Sequence, residues 1–176
     1  MEQKTTFNFQ AGEILLVNKP LEWTSFDVVN KIRYKLKHKL QVKKIKVGHA
    51  GTLDPLATGL LVICTGKFTK RLSEFQGQVK EYTGEITLGA TTPSYDLETE
   101  VDKQFPTDHI TDTLIQEILP NFIGEIEQYP PVFSALKKDG KRLYEYARKN
   151  EEVEIKSRQI KIDEFEITKI NLPKLE

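Results

Sequence analysis

Hydrophobic and polar positions divide this chain into distinct blocks. Ile14-Leu15-Leu16-Val17 and Leu60-Leu61-Val62-Ile63-Cys64 are short unbroken apolar runs, which predict buried strands over 14–17 and 60–64. Between them Val29, Ile32 and Leu36 recur at helical spacing, and Thr24 followed three residues later by Asp27 forms a capping box that opens the helix. A short helix is expected over 68–75. Residues 79–88 alternate, with Tyr82, Gly84, Ile86 and Leu88 on one face and Glu81, Thr83, Glu85 and Thr87 on the other, and read as a longer strand. Over 110–122, Leu114, Ile115, Ile118, Leu119 and Phe122 are spaced helically, and Pro120 is expected to end or distort the last turn. A strand over 132–136, a turn at Asp139-Gly140, a helix near 143–149 and strand-like alternation over 153–170 complete the pattern. Strands outnumber helices without alternating regularly with them, which predicts an α+β domain.

One polar interruption stands out, Gly48-His49-Ala50-Gly51-Thr52-Leu53-Asp54-Pro55-Leu56-Ala57-Thr58-Gly59, leading straight into the second apolar run. It holds one carboxylate, one imidazole and three glycines, with no lysine or arginine. Pro55 fixes its own φ and pushes Asp54 away from helix, while the glycines reach backbone angles closed to other residues. Asp54 is therefore presented by a loop held between rigid points. On residues alone two readings compete. One is an Asp-Pro turn whose side chain satisfies nearby amides. The other is a catalytic carboxylate, favoured by His49, Thr52 and Thr58 in the same loop and by the strand anchoring its end.

Composition narrows the class. With 176 residues, 38% hydrophobic and 30% charged, the chain can bury one sizeable core, and one compact domain is expected. The one cysteine, Cys64, leaves no disulfide framework or zinc cluster within the chain and fits a reducing cytoplasm. The first ten residues lack a signal-peptide core and no apolar run approaches a membrane span, so no membrane partner is expected. A formal net charge of zero argues against a nucleic-acid partner until its distribution is read. Residues 31–46 hold eight Lys or Arg (Lys31, Arg33, Lys35, Lys37, Lys39, Lys43, Lys44, Lys46) and no acid, whereas 96–127 hold nine acids against Lys103 alone. A solvated helix face and an RNA backbone track both explain the basic run. Its place beside the Asp54 loop favours the track, with Lys43, Lys44 and Lys46 as candidate phosphate contacts. A second basic set, Lys137, Lys138, Lys141 and Arg142, brackets the 139–140 turn.

The 48–59 loop resembles the catalytic signature of the TruB family of pseudouridine synthases, usually Gly-His-Thr-Gly-Thr-Leu-Asp-Pro-Leu-Ala-Thr-Gly, from which Ala50 departs. Upstream, Ile14-Leu15-Leu16-Val17-Asn18-Lys19-Pro20-Leu21-Glu22-Trp23-Thr24-Ser25-Phe26-Asp27-Val28-Val29 is similar to that family's opening strand, loop and helix. Downstream, Lys80-Glu81-Tyr82 with Leu88-Gly89, then Gln128-Tyr129-Pro130-Pro131-Val132-Phe133-Ser134-Ala135-Leu136-Lys137, then Gly140-Lys141-Arg142-Leu143-Tyr144-Glu145-Tyr146-Ala147-Arg148 resemble its later signatures, in order. The resemblance runs over about residues 12–170.

What the resemblance implies can be stated as expectations. The fold would be a mixed, largely antiparallel sheet with flanking helices, the pseudouridine synthase catalytic fold in incomplete form, with residues 1–176 as the N-terminal part of the catalytic domain. The activity would be isomerisation of a uridine in the tRNA T-loop, at position 55. The bond from uracil N1 to ribose C1′ breaks, and the bound base turns and rejoins through C5, with no cofactor and no metal. Asp54 would be the catalytic carboxylate, either attacking the sugar carbon or removing a ribose proton. A carboxylate suits both routes because its reference pKa lies about three units below neutral. A glycoside hydrolase would need a second carboxylate, and the next acid after Asp54 is Glu74, outside the loop. Uridine inside folded RNA must be flipped out, which calls for an aromatic partner. Tyr82, which taken alone reads as a core aromatic, is implied to stack on the base. His49, Lys19, Gly51 and Thr52 are implied to lie against the nucleotide, His49 as support and not as acid or base. The region around the second basic set is implied to clamp the tRNA T-arm, and no protein partner is required.

Departures are also present. Glu22 stands where the family usually has glycine, Phe133 replaces a common tyrosine, and Asn150 replaces a glycine at a helix end. The family continues with a Gly-Thr-Tyr-Arg signature that supplies an arginine partner for the aspartate, and usually with a PUA-type domain. The numbered sequence stops at Glu176, before that signature. The expectation is a piece of a longer enzyme that by itself turns over little or nothing. Two rival classes stay open: a non-catalytic RNA-binding or tRNA-folding module with a structural Asp54, and a nucleoside-directed glycosidase that would release uracil.

Overall fold

The two apolar runs pair with each other. The computed structural model describes residues 7–133, 137–138, 140–143, 146, 151, 153 and 155–176, which gather into two units, up to Glu81 and Tyr82–Glu176. In the first unit β1 (Ile14–Lys19), β2 (Val47–His49) and β3 (Gly59–Thr65) form an antiparallel sheet in the order β1-β3-β2. Leu15 lies opposite Ile63 and Val17 opposite Leu61, so these four side chains share a face. That face packs on α1 (Ser25–Leu40), whose Val28, Val29 and Leu36 join Val47, Leu61 and Ile63 in the core. Leu61, Ile63 and Val29 are at most 2% exposed, and each contributes about 1.5–3 kcal/mol by leaving water.

The capping box forms as expected. Thr24 Oγ1 accepts from the Asp27 amide and the Asp27 carboxylate accepts from the Thr24 amide, satisfying two donors that the first turn would leave open. At the other end Gln41 turns left-handed (φ 52°), and the amides of Gln41 and Val42 fold back onto the His38 and Lys37 carbonyls. After β3 the chain continues in a 3₁₀ turn (Gly66–Arg71) and α2 (Leu72–Gln76), which together cover the short helix expected over 68–75. Strand β2 has no counterpart in the sequence reading, because three residues are too few to display a period.

In the second unit β4 (Ile86–Thr87) is followed by β5 (Ala90–Thr91) and β6 (Lys103–Gln104), which pair with each other. Next comes α3 (Asp112–Ile118), capped by Thr111 and running into a 3₁₀ turn (Leu119–Phe122) where Pro120 changes the winding, as expected. Strand β7 (Gly124–Gln128) precedes the two-residue pair β8 (Lys137–Lys138) and β9 (Lys141–Arg142). The strand β10 (Arg158–Ile162) pairs with β7, and β11 (Ile170–Asn171), β12 (Lys174–Leu175) and β4 form the last sheet in the order β11-β12-β4. Every pairing among the described residues is antiparallel, and with the helices this makes an α+β fold.

Three expectations are corrected here. The strand over 79–88 shrinks to Ile86–Thr87, because β12 offers partners only to those two residues; among the described residues 79–85 have no ladder, and alternation without a partner does not make a strand. The alternation over 153–170 becomes a strand at Arg158–Ile162 and again from Ile170. Val132 and Phe133 lie in a turn and not a strand, while 134–136, Asp139 and most of 143–149 fall outside the described residues.

Candidate active site

Asp54 sits in a loop whose backbone is bonded on both sides of it. Ser25, 2% exposed at the first turn of α1, reaches the residue before Asp54: its Oγ accepts from the Leu53 amide at 2.9 Å and donates to the Leu53 carbonyl at 3.1 Å. The residue after Asp54 is held as firmly, since the Pro55 carbonyl accepts from the Glu22 amide at 2.8 Å and from Lys19 Nζ at 3.4 Å. Within the loop the Ala57 amide donates to the Asp54 carbonyl at 3.0 Å, closing a β-turn with Asp first and Pro second. Gly51 (φ 146°) and Gly59 (φ 124°) supply backbone angles that side chains rarely adopt, whereas Gly48 is small for a different reason: an added Cβ would come within 2.8 Å of Leu72. The Asp54 residue itself is exposed. A bound main chain and an exposed position coexist at one residue.

Lys19 ends β1 on the core side and is 0% exposed. Its ammonium donates to the carbonyls of Pro20 at 2.9 Å, Trp23 and Pro55. A buried cation needs such partners, because removal from water disfavours the charged form. Burial pushes the Lys19 pKa down, and the carboxylates of Asp54 and Asp27 push it partly back up. The lysine thus lies in the electrostatic field of Asp54 while tying together the β1–α1 and 48–59 loops.

His49 Nδ1 contacts the Gly51 carbonyl, and the Ala50 amide donates to Val62 at 2.9 Å, so the start of the loop is stitched to itself and to β3. Thr52 is exposed and Gly51 half-buried. Lys19, His49, Gly51, Thr52 and Asp54 all belong to the first unit. Tyr82 opens the second unit, outside any strand, with its residue 74% exposed. Lys43, Lys44 and Lys46 occupy the α1–β2 connection. The sequence reading missed Ser25 and the backbone of Glu22. Thr24-Ser25 signals a helix start, but a hydroxyl clamping a loop 28 residues away leaves no local trace. Among the described residues no three His, Cys, Asp or Glu side chains cluster as a metal ion requires, and no helix is long and apolar enough to cross a membrane.

Comparison with known proteins follows the same lines. Residues 37–176 match the family described as TruB family pseudouridylate synthase (N terminal domain). The chain is 61% identical over 173 residues to tRNA pseudouridine synthase B of Flavobacterium johnsoniae, covering 98% of this chain and 76% of that protein. It is 63% identical over 166 residues to tRNA pseudouridine synthase B of Parabacteroides distasonis, covering 94% of this chain and 71% of the relative. A chain of the crystal structure of a Cbf5-Nop10-Gar1 complex superposes with a TM-score of 0.56 at 24% identity, over 95% of this chain and 38% of that one, a likeness of fold alone. Family match and relatives agree with the loop, and this chain belongs to the TruB family of pseudouridylate synthases.

Proposed function

We propose that this chain carries the catalytic carboxylate for converting the uridine at position 55 of the tRNA T-loop into pseudouridine, with Asp54 acting on a flipped-out nucleotide. The observation that carries the reading is that Asp54 is exposed while Leu53 and Pro55 on either side are held by Ser25, Glu22 and Lys19. Catalytic groups act through such preorganisation, since about an ångström of misplacement can cost roughly a hundredfold in rate. The relatives named tRNA pseudouridine synthase B support tRNA as the substrate class.

The chemistry conserves every atom. The N1–C1′ bond breaks, the base turns, C5 bonds to C1′ and the C5 proton moves to solvent while N1 gains one. Asp54 assists bond cleavage as nucleophile at C1′ or as base at the ribose, and either role requires its carboxylate at the sugar. Tyr82, with an exposed ring, stacks on the extruded base; such stacking is worth about 1–3 kcal/mol per base. Gly51 and Thr52 line the approach of the nucleotide, and His49 supports it through its bond to the Gly51 carbonyl. Lys19, being buried, acts as a positioning residue for Pro55 and a charge partner in the field of Asp54. Both units belong to one catalytic domain in this reading. A reducing cytoplasm is the compartment it implies, where buried Cys64 stays a thiol.

The test is product analysis. A T-arm RNA labelled at position 55, treated with the enzyme at full family length, should yield pseudouridine at that position with RNA mass unchanged. Released uracil would identify a glycosidase, and unchanged uridine on bound RNA would identify a binding module; either result overturns the proposal.

A further inference from the structure

The α1–β2 connection builds a cationic groove that the Asp54 chemistry does not use. Because Gln41 is left-handed and the Val42 amide returns to the Lys37 carbonyl, the chain reverses after α1 and residues 43–46 run back beside the helix. The groove so formed, about 480 Å³, is lined by Arg33 and Lys37 from the helix and by Lys43, Lys44, Ile45 and Lys46 from the return segment. Arg33 and Lys37 are one turn apart and present the same side. Arg33 is a fixed wall: its guanidinium donates to Asn30 Oδ1 at 2.8 Å and to the Val47 carbonyl at 3.0 Å, pinning β2 to α1. No carboxylate lines the groove, and among the described residues none of its five cations makes a salt bridge.

Five like charges facing one trough repel one another and invite a polyanion. The lining offers no aromatic ring on which a base could stack and no acceptor side chain to read a base edge, so it suits phosphates and not bases. Lysines dominate, as point charges tolerant of position, which fits a backbone passing through better than one captured headgroup. We propose that Arg33, Lys37, Lys43, Lys44 and Lys46 hold the phosphodiester backbone of the RNA substrate, an anchoring contact made by residues distinct from the Asp54 loop. The inference rests on RNA being the substrate.

The experiment compares two double variants of equal charge in the chain as it stands. Lys43→Gln/Lys44→Gln removes groove lysines; Lys35→Gln/Lys39→Gln removes two from the same basic run that do not line it. Binding of a T-arm RNA hairpin is measured against salt. Each phosphate contact contributes roughly 0.7–0.9 to the slope of log K against log salt, so the groove variant should lose about 1.4–1.8 in slope and roughly 10- to 30-fold in affinity at about 0.15 M salt. The control should keep the wild-type slope. Equal losses in both variants, or none in either, overturn the groove as a site. Displacement of the hairpin by polyglutamate at equal charge concentration overturns RNA as its occupant. A wild-type chain that binds no RNA overturns the substrate reading itself, and this inference with it.

Discussion

Replacing Ser25 by alanine removes one oxygen and little volume, yet it cuts both bonds that hold Leu53. Leu53 is half-buried and Ser25 is 2% exposed, so water does not fully replace what is lost. A net loss of about 0.5–1.5 kcal/mol per hydrogen bond, rising toward 1–3 where a partner stays dry, gives about 2–3 kcal/mol for Ser25→Ala. For a urea m-value of about 2 kcal/mol/M the unfolding midpoint should fall by roughly 1 M with m unchanged. The same change frees the residue before Asp54. In the enzyme at full family length it should lower kcat by one to two orders of magnitude, from misplacement approaching an ångström, with a smaller effect on KM. A midpoint shift below about 0.2 M would refute the worth assigned to the clamp. Normal kcat in a destabilised variant would refute its role in holding the carboxylate.

Three further outcomes are expected. Lys19→Met should destabilise by about 2–4 kcal/mol, because the Pro20 and Trp23 carbonyls lose the ammonium while Pro55 keeps the Glu22 amide; an unchanged thermal midpoint would contradict this. Glu22 holds φ 64°, so Glu22→Gly should stabilise by about 0.5–1 kcal/mol, the relief of left-handed strain less the flexibility glycine adds, and a lower urea midpoint would show that the Glu22 side chain matters more than its backbone. Bonds from the Thr24 hydroxyl and then its amide hold the Asp27 pKa below its ordinary 3.8. The unfolded chain then takes up the proton first as pH falls, so the stability Asp27 contributes is complete above the unfolded value and disappears through the folded one. The gap in urea midpoint between wild type and Asp27→Asn should be full above about pH 5 and should narrow as pH falls below the unfolded 3.8 toward the lower folded value, and a pH-independent gap would contradict the capping box as its source.

The fold is legible in the sequence where local rules decide. β1, β3 and α1 announce themselves through apolar runs, helical spacing and the Thr24–Asp27 box, and Pro120 changes the helix it interrupts. The motif around Asp54 is equally local. What the sequence hides is whatever depends on a distant partner. The alternation at 79–85 is a sound strand pattern, yet pairing reaches only Ile86 and Thr87. Lys19 is implied to lie against the nucleotide, and nothing local in the sequence shows that it is fully buried with its ammonium on three carbonyls, which follows from the end of β1 facing the core and the loops closing over it. Ser25 reads as part of a helix start, and its second task appears only when α1 meets the 48–59 loop.

The most direct measurement is Asp54→Asn in the enzyme at full family length, followed by both hairpin binding and pseudouridine formation on the T-arm RNA. Asparagine keeps the size and the turn while removing the charge, so binding should stay within a few-fold of wild type and isomerisation should fall below detection. Isomerisation persisting near the wild-type rate would show that the Asp54 carboxylate, whose flanking backbone at Leu53 and Pro55 is held by Ser25, Glu22 and Lys19, is structural, and that the chemistry resides elsewhere.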